Sequence, residues 1–479
     1  MSSSRIGCAL CSSPRVTIDP RPASMLPVAM VHGMRLTIIG GGGFRVPLVH
    51  RALMSEDSGV DTVVLHDVDP TRVRAIKAVL DESAGGRRPE VLIEDDLAKA
   101  LTGTDFVFSA IRVGGLRGRT CDERSALAEG VLGQETTGAG GICYGLRTVP
   151  VALRIAEAVR EQAPSAWVIN FTNPAGMVTE AMSRVLGDRV IGICDSPVGL
   201  FRRVARALGI DVAEAWFDYA GLNHLGWLRR VLVDGRDALP GLLADDDALG
   251  SFEEGQLFGA TWLRALGSIP NEYLYYYYFT QDAIASIIDA PATRGEFLLR
   301  QQEAFYRAVD SESARDAAAR WEAVRQEREA TYMAESRAAS GAGGRNADDL
   351  DGGGYDQVAL ALMRAIAGDE HATLVLNVRN RSALPGLDAD AVVEVPCLVD
   401  INGAHPLAAG ALNPPASALV ASVKVAERTA IDAAVSGSRA TAVKALAVHP
   451  LVDSVRAAER ILSGELEALP ELREVLTAG

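Results

Sequence analysis

The tightest constraint on the fold lies between residues 35 and 67. Arg35-Leu-Thr-Ile-Ile39 is an apolar run of strand length, and Gly40-Gly-Gly-Gly43 follows it without a spacer. A helical apolar pattern then runs through Val46, Val49 and Leu53, and a second strand, Thr62-Val-Val-Leu-His66, ends in Asp67. Strand, glycine turn, helix and strand form a βαβ unit, and parallel strands commit the chain to an open α/β sheet. Glycines at the first turn let the backbone approach a pyrophosphate, the helix N-terminus faces the phosphates, and an acid at the end of the second strand can hold a ribose diol. Gly40, Gly41, Gly42 and Asp67 are therefore candidate cofactor-binding residues, and the acid favours NAD over NADP. The third glycine of the usual fingerprint is missing, with Arg45 or Val46 in its place. A glycine-rich turn can also be only a turn, and Arg45 so near it leaves NADP open.

The alternation continues. Val91–Glu94 and Phe106–Ile111 read as strands, and Arg112-Val-Gly-Gly then leads into a loop and a helix around Thr120–Arg124. Gly133 to Gly145 is polar, rich in glycine and without apolar period, and is read as a functional loop because it interrupts a regular repeat. A helix is expected over Arg147–Val159, a strand over Trp167–Phe171 ending in Thr172-Asn-Pro-Ala175, and a helix over Gly176–Leu186. Val190–Ile193 is a short buried strand that runs out into Cys194-Asp195-Ser196 before a helix opened by Pro197. Ligands of open parallel sheets bind outside the carboxyl ends of the strands, so Asn173, Cys194 and Asp195 are placed for chemistry. Further on, Asn223-His224 is a lone polar pair in an apolar run. A thiolate and an imidazole suit a metal; the plain alternatives are a small buried hydrophobe and a satisfied core histidine.

Past residue 200 the alternation stops and helices mix with short strands. Pro270–Phe279 holds five of the ten tyrosines, read either as packed aromatics or as one phenol facing a site. Residues 336–354 look like a mobile loop, and Ala416–Leu476 is mostly helical. No internal repeat is found. The expected organisation is an extension over 1–33 that is disordered, a Rossmann-like doubly wound α/β domain over 34–200 and a mixed α+β domain over 201–479. Met34, directly before the first strand, is a candidate for the true start. Against 47 Lys and Arg stand 62 Asp and Glu, a formal charge of −15, which argues against nucleic acid and anionic membranes. No apolar run approaches membrane-spanning length. Six scattered cysteines, at 8, 11, 121, 143, 194 and 397, do not form a disulfide framework, which points to a reduced, cytoplasmic compartment. Cys8 and Cys11 lack the second pair that a zinc site needs.

Together these blocks resemble glycoside hydrolase family 4, the NAD- and metal-dependent glycosidases. The resemblance spans 34 to about 470. It is carried by Gly40-Gly-Gly, Ile111-Arg-Val-Gly, Gly133-Gln-Glu-Thr with Gly140-Gly, Asn173-Pro-Ala, Ile193-Cys-Asp, Gly221-Leu-Asn-His-Leu-Gly-Trp, Tyr273-Leu-x-Tyr-Tyr, Thr293-Arg and Val392-Val-Glu-Val-Pro-Cys397. It implies oxidation of the sugar's C3 hydroxyl with NAD, removal of the acidified C2 proton, elimination of the aglycone from C1, addition of water and re-reduction, outside the two-carboxylate scheme of most glycosidases. It further implies a divalent metal, typically manganese, on Cys194 and His224, with Tyr273 as base at C2 and Asp195 as acid to the leaving oxygen. Asn173 and Glu123 would contact the sugar, Arg294 would grip a 6-phosphate, and Arg112 would join the cofactor site.

Asp195 after the cysteine resembles the phospho-glucosidase branch, and its α-specific members, whereas Gly40–Pro47 looks more like 6-phospho-β-glucosidases. The expected substrate is a small phosphorylated glycoside of β configuration, with α-specific, galactosidase and glucuronidase members as alternatives. The tyrosine block and the apolar C-terminal helices suggest a homo-oligomer, dimer or tetramer. Two other classes compete: a dehydrogenase of the malate or lactate type, which would leave Cys194 and His224 unexplained, and a non-catalytic NAD sensor, which would be expected to have lost Cys194, His224 or Tyr273.

Overall fold

The computed structural model describes residues 33–477, except 56–57, 83–88, 310–312, 347–348, 350–353 and 369. The extension expected over 1–33, with Cys8 and Cys11, lies outside the described residues but for Gly33.

Six strands, β1 (Met34–Ile39), β2 (Val60–His66), β3 (Glu90–Ile93), β4 (Phe106–Ser109), β5 (Trp167–Asn170) and β6 (Val190–Gly192), pair in parallel in the order β3-β2-β1-β4-β5-β6. This is the order of a doubly wound dinucleotide-binding sheet, whose crevice opens between β1 and β4, where the winding reverses. The near-continuous apolar runs of β1 and β4 fit burial on both faces. Next in the chain come β7 (Ala215–Leu222), β8 (Leu225–Val233), β9 (Arg236–Asp237), β10 (Ile269–Pro270), β11 (Ala372–Arg379), β12 (Val392–Asp400) and β13 (Gly403–Pro406). The sheet does not break near residue 200. It continues antiparallel from β6 through β11, β12, β7, β8 and β10.

Two expectations are corrected. The polar stretch from Gly133 is a loop only as far as Thr137, because Gly138 already opens the helix Gly138–Gln162. Its glycines serve close packing: a Cβ on Gly140 would lie 2.1 Å from the Gln134 carbonyl oxygen, and one on Gly141 2.5 Å from that of Thr136. The start of the expected mobile loop is the helix Ala334–Ser340, with Ser336 and Arg337 buried, and Arg345 beyond it pairs with Glu253 and Glu329. Tyr275 and Tyr276 are buried within the chain and offer no surface to a partner.

The C-terminal helices Pro414–Ser436, Arg439–Ala447 and Val455–Ala468 pack on the helices Gly115–Leu127 and Gly138–Gln162. Arg147 stands at that junction, giving Nη1 and Nη2 to the two Asp122 oxygens at 2.7 and 2.8 Å and approaching Glu465 Oε2 at 3.3 Å. Burial, with Asp122 beside it, pushes the Glu465 carboxyl from an ordinary 4.5 up to about 9. The folded chain therefore holds a proton there that the unfolded chain has lost, and stability falls as pH rises from about 5 to about 9. Glu465→Gln keeps the shape of the neutral form, so its thermal midpoint should fall less over that range than the wild type's. An equal fall would place the proton elsewhere.

Candidate active site

A cavity of about 850 Å³ lies at the carboxyl ends of β1, β2, β4, β5 and β6. Every candidate catalytic, cofactor, metal and substrate residue named from the sequence lines it except Gly41 and Gly42. Those two are packed from behind, where a Cβ would come within 2.9 Å of Leu65 Cα and 2.8 Å of Arg72 Cβ.

The glycine turn is a cradle that side chains would fill. Gly40 has φ +89°, and a Cβ there would sit 2.5 Å from the Ala110 carbonyl oxygen. The Asp67 carboxylate accepts from Gly42 N at 3.0 Å and Asp69 N at 3.1 Å, which fixes the turn to the end of β2. Tyr306 closes it from outside by donating to the Gly42 carbonyl at 2.7 Å. Arg45 points elsewhere: it lies 3.5 Å from Asp195 and 3.7 Å from Glu329, against the rings of Phe171 and Tyr355. Its cation belongs to the far side of the cavity, so it does not weigh toward a 2′-phosphate.

Arg112, past the end of β4, pairs with Glu135, as does Arg119. Against its burial, the two guanidinium groups hold the Glu135 carboxyl down at about 2. Glu123 accepts from Arg119 Nε and from Gly295 N, both at 2.8 Å, so its two oxygens are engaged within the protein.

Cys194 follows β6 and is buried, with Sγ 4.0 Å from Asp195 Oδ1. Burial, Glu394 and Asp195 push its thiol up, so a thiolate there needs a cation. His224 is the second residue of a two-residue hairpin turn between β7 and β8, with φ +60°. That conformation is uncommon for a side-chain-bearing residue, and it seats the imidazole face to face on Tyr273, ring centroids 3.7 Å apart. Nδ1 is 3.0 Å from Thr136 Oγ1, which leaves Nε2 for a metal. Burial lowers the imidazole to about 3, so it is neutral, as a ligand must be. Asn173 Oδ1 is buried without a partner. A soft thiol, a neutral imidazole and an orphaned amide oxygen in one cavity suit a divalent transition metal. Among the described residues, three or more His, Cys or acidic ligand atoms converge only at Asp122, Cys143 and Glu465, where Arg147 already supplies the cation.

The Tyr273 hydroxyl is 3.0 Å from that of Tyr332, which also reaches Glu272 Oε1 at 3.3 Å; Ser196 donates to the same oxygen at 2.7 Å. Burial and Glu272 push the Tyr273 phenol up, while the Tyr332 hydrogen bond opposes them. Arg294 donates to Thr331 Oγ1 and the Arg328 carbonyl, both at 2.7 Å.

Tyr332, Arg328, Arg119 and Glu135 complete the site without having been singled out. Arg328 sits in Arg-Gln-Glu-Arg-Glu, indistinguishable in sequence from a solvated helix face. Glu135 could have been found, because it is the one acid in the glycine-rich loop.

The family model described as family 4 glycosyl hydrolase matches residues 35–210, and that of the family 4 glycosyl hydrolase C-terminal domain matches residues 219–452. A probable 6-phospho-beta-glucosidase of Bacillus subtilis is 32% identical over 451 residues, covering 92% of this chain and 97% of that protein. The solved structure of a 6-phospho-beta glucosidase from Thermotoga maritima with manganese, NAD+ and glucose-6-phosphate superposes with a TM-score of 0.76 at 28% identity, over 93% of this chain and 100% of that one. A 6-phospho-alpha-glucosidase from gut microorganisms, solved with NAD and Mn2+, also gives 0.76, at 26% identity, over 91% and 98%.

Proposed function

The chain belongs to the family 4 glycosyl hydrolases, and from that premise we propose that it is an NAD- and metal-dependent 6-phospho-glycosidase that prefers β-glucosides. The observation that carries a phosphorylated substrate is a surplus of half-buried cation lining the cavity. Arg294 has no acidic partner among the described residues, and Arg328 has only Glu329, at 3.9 Å. Burial and the neighbouring Arg45 lower Arg328 to about 9, and burial and Arg119 lower Arg294 to about 10. A phosphate monoester, doubly charged near neutrality, supplies the missing countercharge. The β preference is supported by the Bacillus relative and by the Thermotoga enzyme; Asp195 pulls toward α. The four described cysteines are free, which supports a reducing cytoplasm.

The glycine turn that Gly40 opens would receive the NAD pyrophosphate and Asp67 its ribose; Cys194 and His224 would hold the metal, with Asn173 beside it. When bound, the two groups supply reversible hydride transfer at C3 and Lewis acidity toward the sugar oxygens. The chain's own residues do the rest. Tyr273 takes the C2 proton, and the Tyr332 hydroxyl, 3.0 Å away, donates to the phenolate that must form. Asp195, 3.5 Å from Arg45, passes a proton to the leaving oxygen and recovers one from the water that then adds at C1. Arg294 and Arg328 anchor the 6-phosphate.

Arg294→Ala and Arg328→Ala should each raise KM for a 6-phospho-glucoside by about tenfold to a hundredfold, the worth of a charge-assisted hydrogen bond. KM for the plain glucoside should change little. Equal effects on both substrates would remove the phosphate role.

A further inference from the structure

One level of the sheet links both candidate metal ligands. Asn170 pairs with Gly192, Gly192 with Asn377, Asn377 with Glu394, and Glu394 with Gly221. Cys194 comes two residues after Gly192, and Asn223 and His224 come two and three residues after Gly221. On the β6 side this row is the last paired level before Cys194, and on the β7 side one further pair, Leu222 with Leu225, precedes the hairpin tip. Glu394 sits within it, 1% exposed, and accepts from Asn377 Nδ2 at 2.9 Å, Tyr219 Oη at 3.0 Å and Asn223 Nδ2 at 3.2 Å. The row is built to bring strands close: a Cβ on Gly192 would lie 2.8 Å from Asn377 Cβ, and one on Gly221 2.1 Å from the Leu225 carbonyl oxygen. All three donors to Glu394 are neutral. Among the described residues no cationic side chain pairs with it, and Asp195 adds negative charge nearby. A buried carboxylate so placed lacks its counter-charge.

We propose that Glu394 is a positioning residue for the divalent cation. Through Asn223 it locks the hairpin tip that presents His224. Through Asn377 it ties that tip to the strand that presents Cys194. Its charge is balanced once the cation is seated. Outer partners of this kind fix the geometry of ligands that would otherwise sit in a loose turn. The inference rests on the reading of Cys194 and His224 as metal ligands.

The test is a titration of the full chain with Mn2+ in the presence of NAD, free Mn2+ being read by electron paramagnetic resonance, with NAD affinity and thermal midpoint measured alongside. Glu394→Gln turns an amide toward two asparagine donors and should weaken Mn2+ binding by about 10–100-fold with NAD affinity unchanged. Asn223→Ala should weaken it in the same direction, and it carries the test if Glu394→Gln does not fold. Cys194→Ser separates the two levels. Loss of Mn2+ in Cys194→Ser with wild-type affinity in the other two overturns the role of Glu394 and leaves the ligands standing. Wild-type affinity in Cys194→Ser overturns both. A parallel loss of NAD affinity in Glu394→Gln would mark a general structural role and also overturn the proposal.

Discussion

Tyr273→Phe should lower kcat on a 6-phospho-glucoside by about 10²–10⁴-fold, the range of a lost general base, with KM and NAD affinity little changed. The substitution removes one oxygen and keeps the ring stacked on His224, so the site should hold its shape. The hydroxyl is the group at stake. It lines the cavity, and its hydrogen-bond partner is a second phenol rather than a carboxylate. The check is the exchange of the substrate's C2 hydrogen with deuterated solvent, which should vanish with turnover. Full exchange in the variant would move the base elsewhere, first to Tyr276, which also lines the cavity. Tyr332→Phe should give a smaller loss in the same direction, because it removes only the donor that stabilises the phenolate.

Cys194→Ser should abolish metal-dependent activity, with Mn2+ affinity falling more than about a hundredfold. A serine hydroxyl stays protonated near neutrality and is a poor ligand where a thiolate is a good one. NAD binding should survive, because the glycine turn follows β1 and Asp67 follows β2, whereas Cys194 follows β6. Unchanged metal affinity would remove Cys194 from the ligand set. Titration calorimetry with each cofactor in turn distinguishes these results.

The parallel half of the fold was legible because its signals are local. An apolar run, a glycine turn and an amphipathic stretch repeat within windows of about 30 residues, and the strand order 3-2-1-4-5-6 follows from double winding. The strand-tip residues Asn173, Cys194 and Asp195 were legible for the same reason, since the carboxyl edge of such a sheet is where ligands bind. The antiparallel half was not. β11 and β12 insert between β6 and β7 although about 150 residues separate them in the chain, and no local pattern specifies such a pairing. The helix from Gly138 looks like a loop in the sequence because glycine is a poor helix former in isolation; here the tightness of the preceding turn leaves no room for a Cβ. The left-handed turn at His224 carries only a weak signal, since histidine tolerates that conformation but glycine is the residue it usually selects. Arg328 comes from a helix whose charges look solvated and Tyr332 from the turn that follows it, and only the fold brings them to Arg294 and Tyr273.

The most direct test of the mechanism is hydrolysis of p-nitrophenyl β-glucoside 6-phosphate in deuterated buffer with NAD, Mn2+ and a thiol reductant, omitting each in turn and repeating with the α-anomer. Release of nitrophenol that needs both NAD and metal, no net NADH, and a glucose 6-phosphate product deuterated at C2 is the predicted result, with the β-anomer faster. Release without NAD, a stoichiometric build-up of NADH, or a product free of deuterium would contradict it.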